Sequence, residues 1–216
     1  MSMTADAKSL ETAAATAMHV RKRNGSLEPA DVNKIVRAVA RCATGLTQVD
    51  CLKVATKTIG GLYDGATTRE LDNLSIQTAA LLIAEEPEYS KLAARLLSTY
   101  IDKEVANQDI HSFSQSIAAG YRAGLISEKV ASFVTANARK LNSAAHPERS
   151  ELFEYFGLRT VYDRYLLKNP ESREVVETPQ YFFLRVAVGL SESVGEALEL
   201  YQVRSEERRV GKECRL

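Results

Sequence analysis

The chain has 216 residues, 45% hydrophobic and 26% charged, which allows one domain or two small ones and excludes a fibre or a wholly disordered chain. Its 28 Lys and Arg balance its 28 Asp and Glu, so nothing marks a general nucleic-acid or membrane-surface binder, and only a local patch could hold anions. Three cysteines, Cys42, Cys51 and Cys214, are too few and too oddly spaced for a disulfide framework or a zinc site.

No apolar run approaches the roughly 18 residues that a membrane span needs. The first 17 residues are rich in Ala, Thr and Ser, carry Asp6 and Glu11, and read as a solvated tail, not a leader. Order is expected from Met18. Asn24-Gly25 between His19–Lys22 and Leu27–Pro29 predicts a small two-stranded hairpin, because both residues tolerate positive φ. Asp31 caps a helix with Val32, Ile35, Val36 and Val39 on its apolar stripe, and Gly45 ends it. A second helix is expected from Gln48 to Leu62, with Val49, Leu52, Ile59 and Leu62 inward. After the turn Tyr63-Asp64-Gly65, Thr67 and Glu70 have capping-box spacing. That helix should bury Leu71, Leu74, Ile76, Ala79, Leu82 and Ile83 and stop before Pro87. A fourth carries Tyr89, Leu92, Ala93, Leu96, Leu97, Tyr100 and Ile101 inward.

Further helices are expected from Ile117 to Ala123 and from Ser127 to Arg139. Phe153, Tyr155, Phe156 and Gly157 suggest a turn-rich stretch. Tyr165–Lys168 and Glu174–Glu177, flanking Asn169-Pro170, suggest a second hairpin. Pro179 starts a helix with Phe183, Val186, Ala187 and Leu190 on its apolar face, and a last helix spans about Ser193 to Gln202. From Arg204 to Leu216 the chain reads RSEERRVGKECRL, eight charged residues in thirteen, a solvated tail or foreign sequence.

The chemistry-bearing residues gather early. Lys22 and Arg23 stand at the mouth of a Gly turn, where two cations and free N–H groups could hold a polyphosphate. Glu28 and Asp31 lie at a strand end and a helix start, where carboxylates accept hydrogen bonds from a ligand amine or hydroxyl. Thr68 opens a helix, where anions bind well. Each signal alone has a plain alternative: solvated cations, a surface glutamate, ordinary caps.

Taken together, the run MHVRKRNGSLE from Met18 to Glu28, Asn33-Lys34-Ile35, the run GLYDGATTRELD from Gly61 to Asp72, and LAARL from Leu92 to Leu96 resemble the ATP-cone domain. More closely they resemble the N-terminal part of the class I ribonucleotide reductase large subunit, in its eukaryote-like branch. Lys140–Ser143, Tyr155–Gly157, Tyr165–Lys168, Glu177–Gln180 and Leu184–Leu190 resemble the start of that family's catalytic domain. The resemblance covers residues 18 to about 202.

The resemblance implies a mainly α (α+β) fold: an ATP-cone over 18–107, of a hairpin plus four helices, then the helical start, 108–202, of an incomplete α/β barrel domain. Residues 1–17 and 203–216 would be tails. It implies an allosteric site for ATP and dATP, with Mg²⁺, made by Lys22, Arg23, Glu28, Lys34, Thr68, Asp72 and Lys103. Lys22, Arg23 and Lys103 would contact phosphates, Glu28 would read the adenine, and Thr68 would lie beside phosphates or ribose. It implies a cytoplasmic protein whose partners are the radical-generating small subunit and other large subunits, not nucleic acid or membrane. The family's thiyl-radical and redox cysteines have no counterpart at Cys42, Cys51 or Cys214, so neither catalysis nor a catalytic cofactor is expected of this span. A zinc-ribbon transcriptional regulator built on the same cone, and a helical scaffold without ligand, are the alternatives.

Overall fold

The computed structural model describes residues 18–206. The tail expected at 1–17 lies outside the described residues, as do residues 207–216 of the one expected at 203–216, with Cys214, while 203–206 are helical. Among the described residues there are ten α-helices and three short strands.

Strands β1 (His19–Arg21) and β2 (Leu27–Pro29) form the expected hairpin, with Val20 opposite Glu28. The turn differs in detail. Lys22 N donates to Ser26 O at 2.8 Å, which closes a three-residue loop in which Gly25, at φ 86°, takes the left-handed conformation. Asn24 contributes its side chain instead: Oδ1 accepts from Ser26 N and Oγ at 3.1 and 2.8 Å. The sheet also has a third strand that the sequence did not announce. β3 (Ala66–Thr67) runs parallel to β1 and places Ala66 beside Val20, in the order β2-β1-β3. Two residues are too short for a period-2 pattern, and Thr67 also serves as a helix cap, whose extended backbone is strand-like. The turn before β3 is pinned to β1, since His19 N donates to Asp64 Oδ1 at 2.7 Å and Gly65 N to His19 O at 2.8 Å.

Four helices pack under this sheet. Asp31 caps α1 (Val32–Cys42) by accepting from Asn33 N. Only Val39 of the expected stripe is fully buried, and Val32 is exposed. Helix α2 (Cys51–Gly60) is capped by Asp50 and buries Val54, Ala55 and Thr58; Leu52, expected inward, points to solvent. Helix α3 (Thr68–Leu81) begins with the full reciprocal capping box of Thr67 and Glu70 and buries Leu71, Ile76 and Ala79. Helix α4 (Tyr89–Ala106) buries every residue of its expected stripe.

The second half contains α5 (Phe113–Arg122), α6 (Glu128–Ala136) and α7 (Ala138–Ala144), then a 3₁₀ turn at Pro147–Leu152. The stretch read as turns is helix α8 (Tyr155–Arg164). Gly157 lies inside it, and Leu158 is buried against the first half, so packing overrides the local signal. The second hairpin reduces to one antiparallel bridge, Lys168 to Val175. Helix α9 (Pro179–Leu190) starts with Thr178 as cap and Pro179 in its first turn, and buries Leu184, Ala187 and Val188; Leu190, expected inward, is exposed. Helix α10 (Val194–Glu206) continues four residues past Gln202.

Two cores result. One runs from Val39 and Val54 through Leu92, Leu97 and Ile101 to Leu158, Leu166 and Val175, so α8 and the segment after it share the first half's core. The other joins Phe113, Ile117 and Leu141 to Leu184, Val188 and Tyr201. An ion pair between the fully buried Glu177 and the partly exposed Arg185 braces the second half. Glu177 accepts from Arg185 Nε and Nη2, each at 2.8 Å, and from Leu167 N at 2.8 Å. No described helix is long and apolar enough to cross a membrane.

Candidate functional site

A cleft of about 1320 Å³ opens between the hairpin, α1, α3 and α4, and is closed at one end by the 3₁₀ turn at Pro147–Leu152. Six of the seven residues expected at a nucleotide site line it: Lys22, Glu28, Lys34, Thr68, Asp72 and Lys103. They come from five separate elements. The turn after β1 supplies Lys22, β2 supplies Glu28, α1 supplies Lys34, the first two turns of α3 supply Thr68 and Asp72, and the last turn of α4 supplies Lys103. Thr68 and Asp72 are one helical turn apart and face the same way.

Arg23, the seventh, reaches the group from behind. Its Nη2 is 3.2 Å from Asp72 Oδ2, and its guanidinium lies 5.1 Å from the centre of the Tyr100 ring. Its side chain is only 11% exposed, and Nη1 is buried without a hydrogen-bond partner. A buried cation with an unmade hydrogen bond is costly in isolation, and an anion beside it would lower that cost.

The charges form two groups. Glu28 Oε2 sits between Lys22 Nζ at 3.1 Å and Lys34 Nζ at 3.7 Å. The Lys22 hydrogen bond, with Lys34 behind it, holds the Glu28 carboxyl below its ordinary value. Asp72 sits between Arg23 and Lys103, whose Nζ lies 2.9 and 3.1 Å from its two oxygens. Four cations and two carboxylates thus share one wall. Within these two groups the cations exceed the carboxylates by two, whereas over the whole lining six cations and six carboxylates balance, so any preference for an anion is local to the two groups, where the carboxylates keep the cations positioned and offer acceptors to an amine or hydroxyl.

Chain pattern alone did not mark several other lining residues. Arg37 pairs with Asp31 at 3.3 Å. Arg95 donates from Nη1 to the carbonyls of Cys42 and Thr44 at 3.1 and 2.6 Å, which satisfies the C-terminal end of α1, and Nη2 is 3.8 Å from Glu151. Cys42, also in the lining, is half-buried, 3.7 Å from Thr99 Oγ1, and burial pushes its thiol up, so it is a poor nucleophile. Among the described residues no group of three His, Cys, Asp or Glu could hold a metal ion, so a Mg²⁺ here would have to arrive with an anionic ligand.

The chain matches known proteins over two stretches whose boundary does not follow the two cores, since Phe153, Leu158, Leu166 and Val175 of the second stretch pack in the first core. Residues 18–104 match the ATP cone domain, and residues 151–208 match the ribonucleotide reductase all-alpha domain. The large subunit of ribonucleoside-diphosphate reductase from Caenorhabditis elegans is 36% identical over 197 residues, which is 87% of this chain and 25% of that protein. Large chain 2 from Saccharomyces cerevisiae is 36% identical over 197 residues, 87% of this chain and 22% of that protein. The large subunit from Danio rerio is 34% identical over 198 residues. The chain therefore spans about a quarter of the length of the relatives it matches. An ATP cone that carries the cleft, followed in order by a reductase all-alpha domain, places this chain in the ribonucleotide reductase large-subunit family, at that subunit's N-terminal part.

Proposed function

We propose that the chain is the nucleotide-sensing part of a cytoplasmic ribonucleoside-diphosphate reductase large subunit, and that the cleft binds ATP or dATP with Mg²⁺ to set the activity of the whole enzyme. The observation that carries this is the convergence of Lys22, Arg23, Lys34 and Lys103 with Glu28, Thr68 and Asp72 on one cleft, within the residues that match the ATP cone domain. Lys22, Arg23 and Lys103 would take the phosphates, with Asp72 and Glu28 yielding part of their hold on them. Lys34 would add positive charge at the rim, and Glu28 would accept from the adenine amine. Thr68, at the start of α3, would hydrogen-bond phosphate or ribose.

ATP and dATP differ by one hydroxyl. A site that pairs with it leaves a group unsatisfied when it is missing, so the two can be told apart. A switch also requires that each nucleotide bind active and inactive assemblies with different affinity. Those assemblies would involve other large subunits and the radical-generating small subunit. The described thiols, Cys42 and Cys51, belong to helices of the nucleotide-binding half, so this span would regulate reduction and not perform it. The match of 151–208 to a reductase domain favours this reading over a transcriptional regulator built on the same cone.

Calorimetric titration of the full chain with MgATP and MgdATP tests the proposal. Saturable binding that is lost in Lys22→Ala supports it. A folded chain that binds neither nucleotide overturns it, and leaves the ligand-free scaffold.

A further inference from the structure

From the stacking behind the cleft we infer that Tyr100 is the positioning residue for Arg23, and that through it the second half of the chain senses what Arg23 holds. This rests on the nucleotide reading above and adds to it the route by which occupancy leaves the site.

The Tyr100 ring is buried in α4 and is used on two sides. Arg23 lies over it at 5.1 Å, and Tyr162 of α8 meets it edge-on, with centroids 6.1 Å apart and planes at 76°. Tyr162 then donates its hydroxyl to Glu104 Oε2 at 3.3 Å. Glu104 is buried, and it follows Lys103, the other cation on Asp72, in sequence. Arg23, one of the two cations on Asp72, is thus one intermediary away from Tyr162, through the Tyr100 ring.

The same region is tied to the segment after α8. Arg69, next to Thr68, forms an ion pair with Glu174. Gln108 Nε2 bridges the Glu104 and Val175 carbonyls at 3.1 and 2.8 Å, and Ser116 Oγ donates to Val176 O at 2.7 Å. Residues 174–176 are therefore fastened to α3, α4 and α5 around the tyrosine pair.

The physical consequence is directional. A cation over a desolvated aromatic face is attracted by the ring quadrupole, and a planar guanidinium also stacks on it, so the Tyr100 ring fixes the plane in which Arg23 presents its donors. When Arg23 turns toward a phosphate, that stack changes. The edge contact with Tyr162 shares the same ring, and close-packed interiors transmit such shifts. Contiguity is coupling only if both ends bias one arrangement, and that is what variants at the two rings measure.

The test titrates the full chain with MgATP and, separately, adenosine, in wild type, Tyr100→Phe, Tyr100→Met and Tyr162→Met. Tyr100→Phe keeps the ring and should hold ATP affinity within about 2-fold. Tyr100→Met keeps bulk without an aromatic face and should weaken ATP by roughly 3- to 30-fold while adenosine changes little. The ATP-to-adenosine ratio is the decisive readout, because general loosening of the core would lower both. Tyr162→Met, outside the cleft, should lower the same ratio by about 2- to 5-fold. ATP should slow amide exchange over 155–164 in wild type but not in Tyr100→Met. A folded Tyr100→Met with an unchanged ratio overturns the inference while wild-type ATP binding leaves the nucleotide reading intact. If Tyr100→Met does not fold, an unchanged ratio in Tyr162→Met overturns it. Wild type that fails to bind ATP sinks the nucleotide reading first, and this inference with it.

Discussion

Asp72 accepts two hydrogen bonds from Lys103, at 2.9 and 3.1 Å, and so joins the second turn of α3 to the last turn of α4 across 31 residues of sequence. Lys103 is half-exposed while Asp72 is more enclosed, and Arg23 approaches the same carboxylate from the buried side. The lysine is therefore the cation of this pair best placed to serve a ligand from solvent. Lys103→Ala should weaken MgATP by roughly 10- to 100-fold, the worth of a charge-assisted hydrogen bond, with little loss of thermal stability. Calorimetry at two ionic strengths checks it: the affinity gap between wild type and variant should shrink as salt rises. Equal affinities at low salt would exclude Lys103 from the site.

The capping box at the head of α3 makes an acid-limb prediction. Glu70 accepts from Thr67 N at 2.8 Å and Tyr63 Oη at 3.0 Å. Those bonds, the Thr67 backbone first, hold its carboxyl below the ordinary 4.5. A carboxylate with a depressed folded pKa stabilises the fold above the unfolded value, and that contribution is lost as pH falls through the folded one. Glu70→Gln can still accept from Thr67 N but does not titrate. The melting-temperature difference between wild type and Glu70→Gln should therefore be flat at neutral pH and change only below about pH 4.5. A difference that is constant from pH 7 to pH 3 would mean that the box does not titrate with folding.

This box was also the most legible feature of the chain, because its two partners lie three residues apart and neither depends on tertiary contacts. The stripe of α4 was legible for a similar reason, since a long helix buried along one side shows its period. Strand β3 was hidden by its length. Helix α8 was misread because Phe153, Tyr155, Phe156 and Gly157 look like a loop until Leu158 is seen to fill the first half's core. Leu52 and Leu190 were placed inward by apolarity alone, and neighbouring positions took the buried face. For the cleft, the chain pattern marked the hairpin cations, while Lys103 and Lys34 entered through the family resemblance. Tyr100 was legible only as a core residue. Its second role depends on where the hairpin apex lands, which is a long-range outcome.

The pair Glu177–Arg185 predicts a pH response of the opposite sign once it is broken. Glu177 is fully buried, and burial pushes its carboxyl up while the two-pronged Arg185 contact pulls it back. Arg185→Met removes that compensation and should cost roughly 3–5 kcal/mol at neutral pH, because a buried charge is left alone. The folded pKa then rises further above the unfolded one. The folded variant takes up a proton more readily than the unfolded chain, so its stability grows as pH is lowered through that raised value. Denaturant titrations at pH 8 and pH 5.5 check this: the loss relative to wild type should be smaller at the lower pH. Glu177→Gln with Arg185→Met should recover part of the loss at pH 8, since the neutral amide can still accept from Leu167 N. A loss that is equal at both pH values would show that Glu177 is not the charge left stranded.

The shared core makes the last prediction. Leu158 of α8 is fully buried in the cluster that contains Leu97 and Ile101 of α4, although they lie 57–61 positions apart in the chain. Truncating such a side chain loses its burial and leaves a cavity, so Leu158→Ala should cost roughly 2–5 kcal/mol. Because the cluster crosses from the ATP-cone half into α8, that loss should be felt on both sides. The expected result is one cooperative transition, shifted to lower temperature, that coincides whether followed by far-ultraviolet circular dichroism or by the tyrosine signal. Leu141→Ala, in the other core, supplies the contrast, since its cavity forms among residues of α5, α9 and α10. If Leu158→Ala instead separates the melt into two steps and leaves the ATP-cone half at its wild-type temperature, α8 is a docked neighbour and not part of that half's core. A single shifted transition means that the half that matches the ATP cone domain cannot unfold without releasing α8, the helix that carries Tyr162.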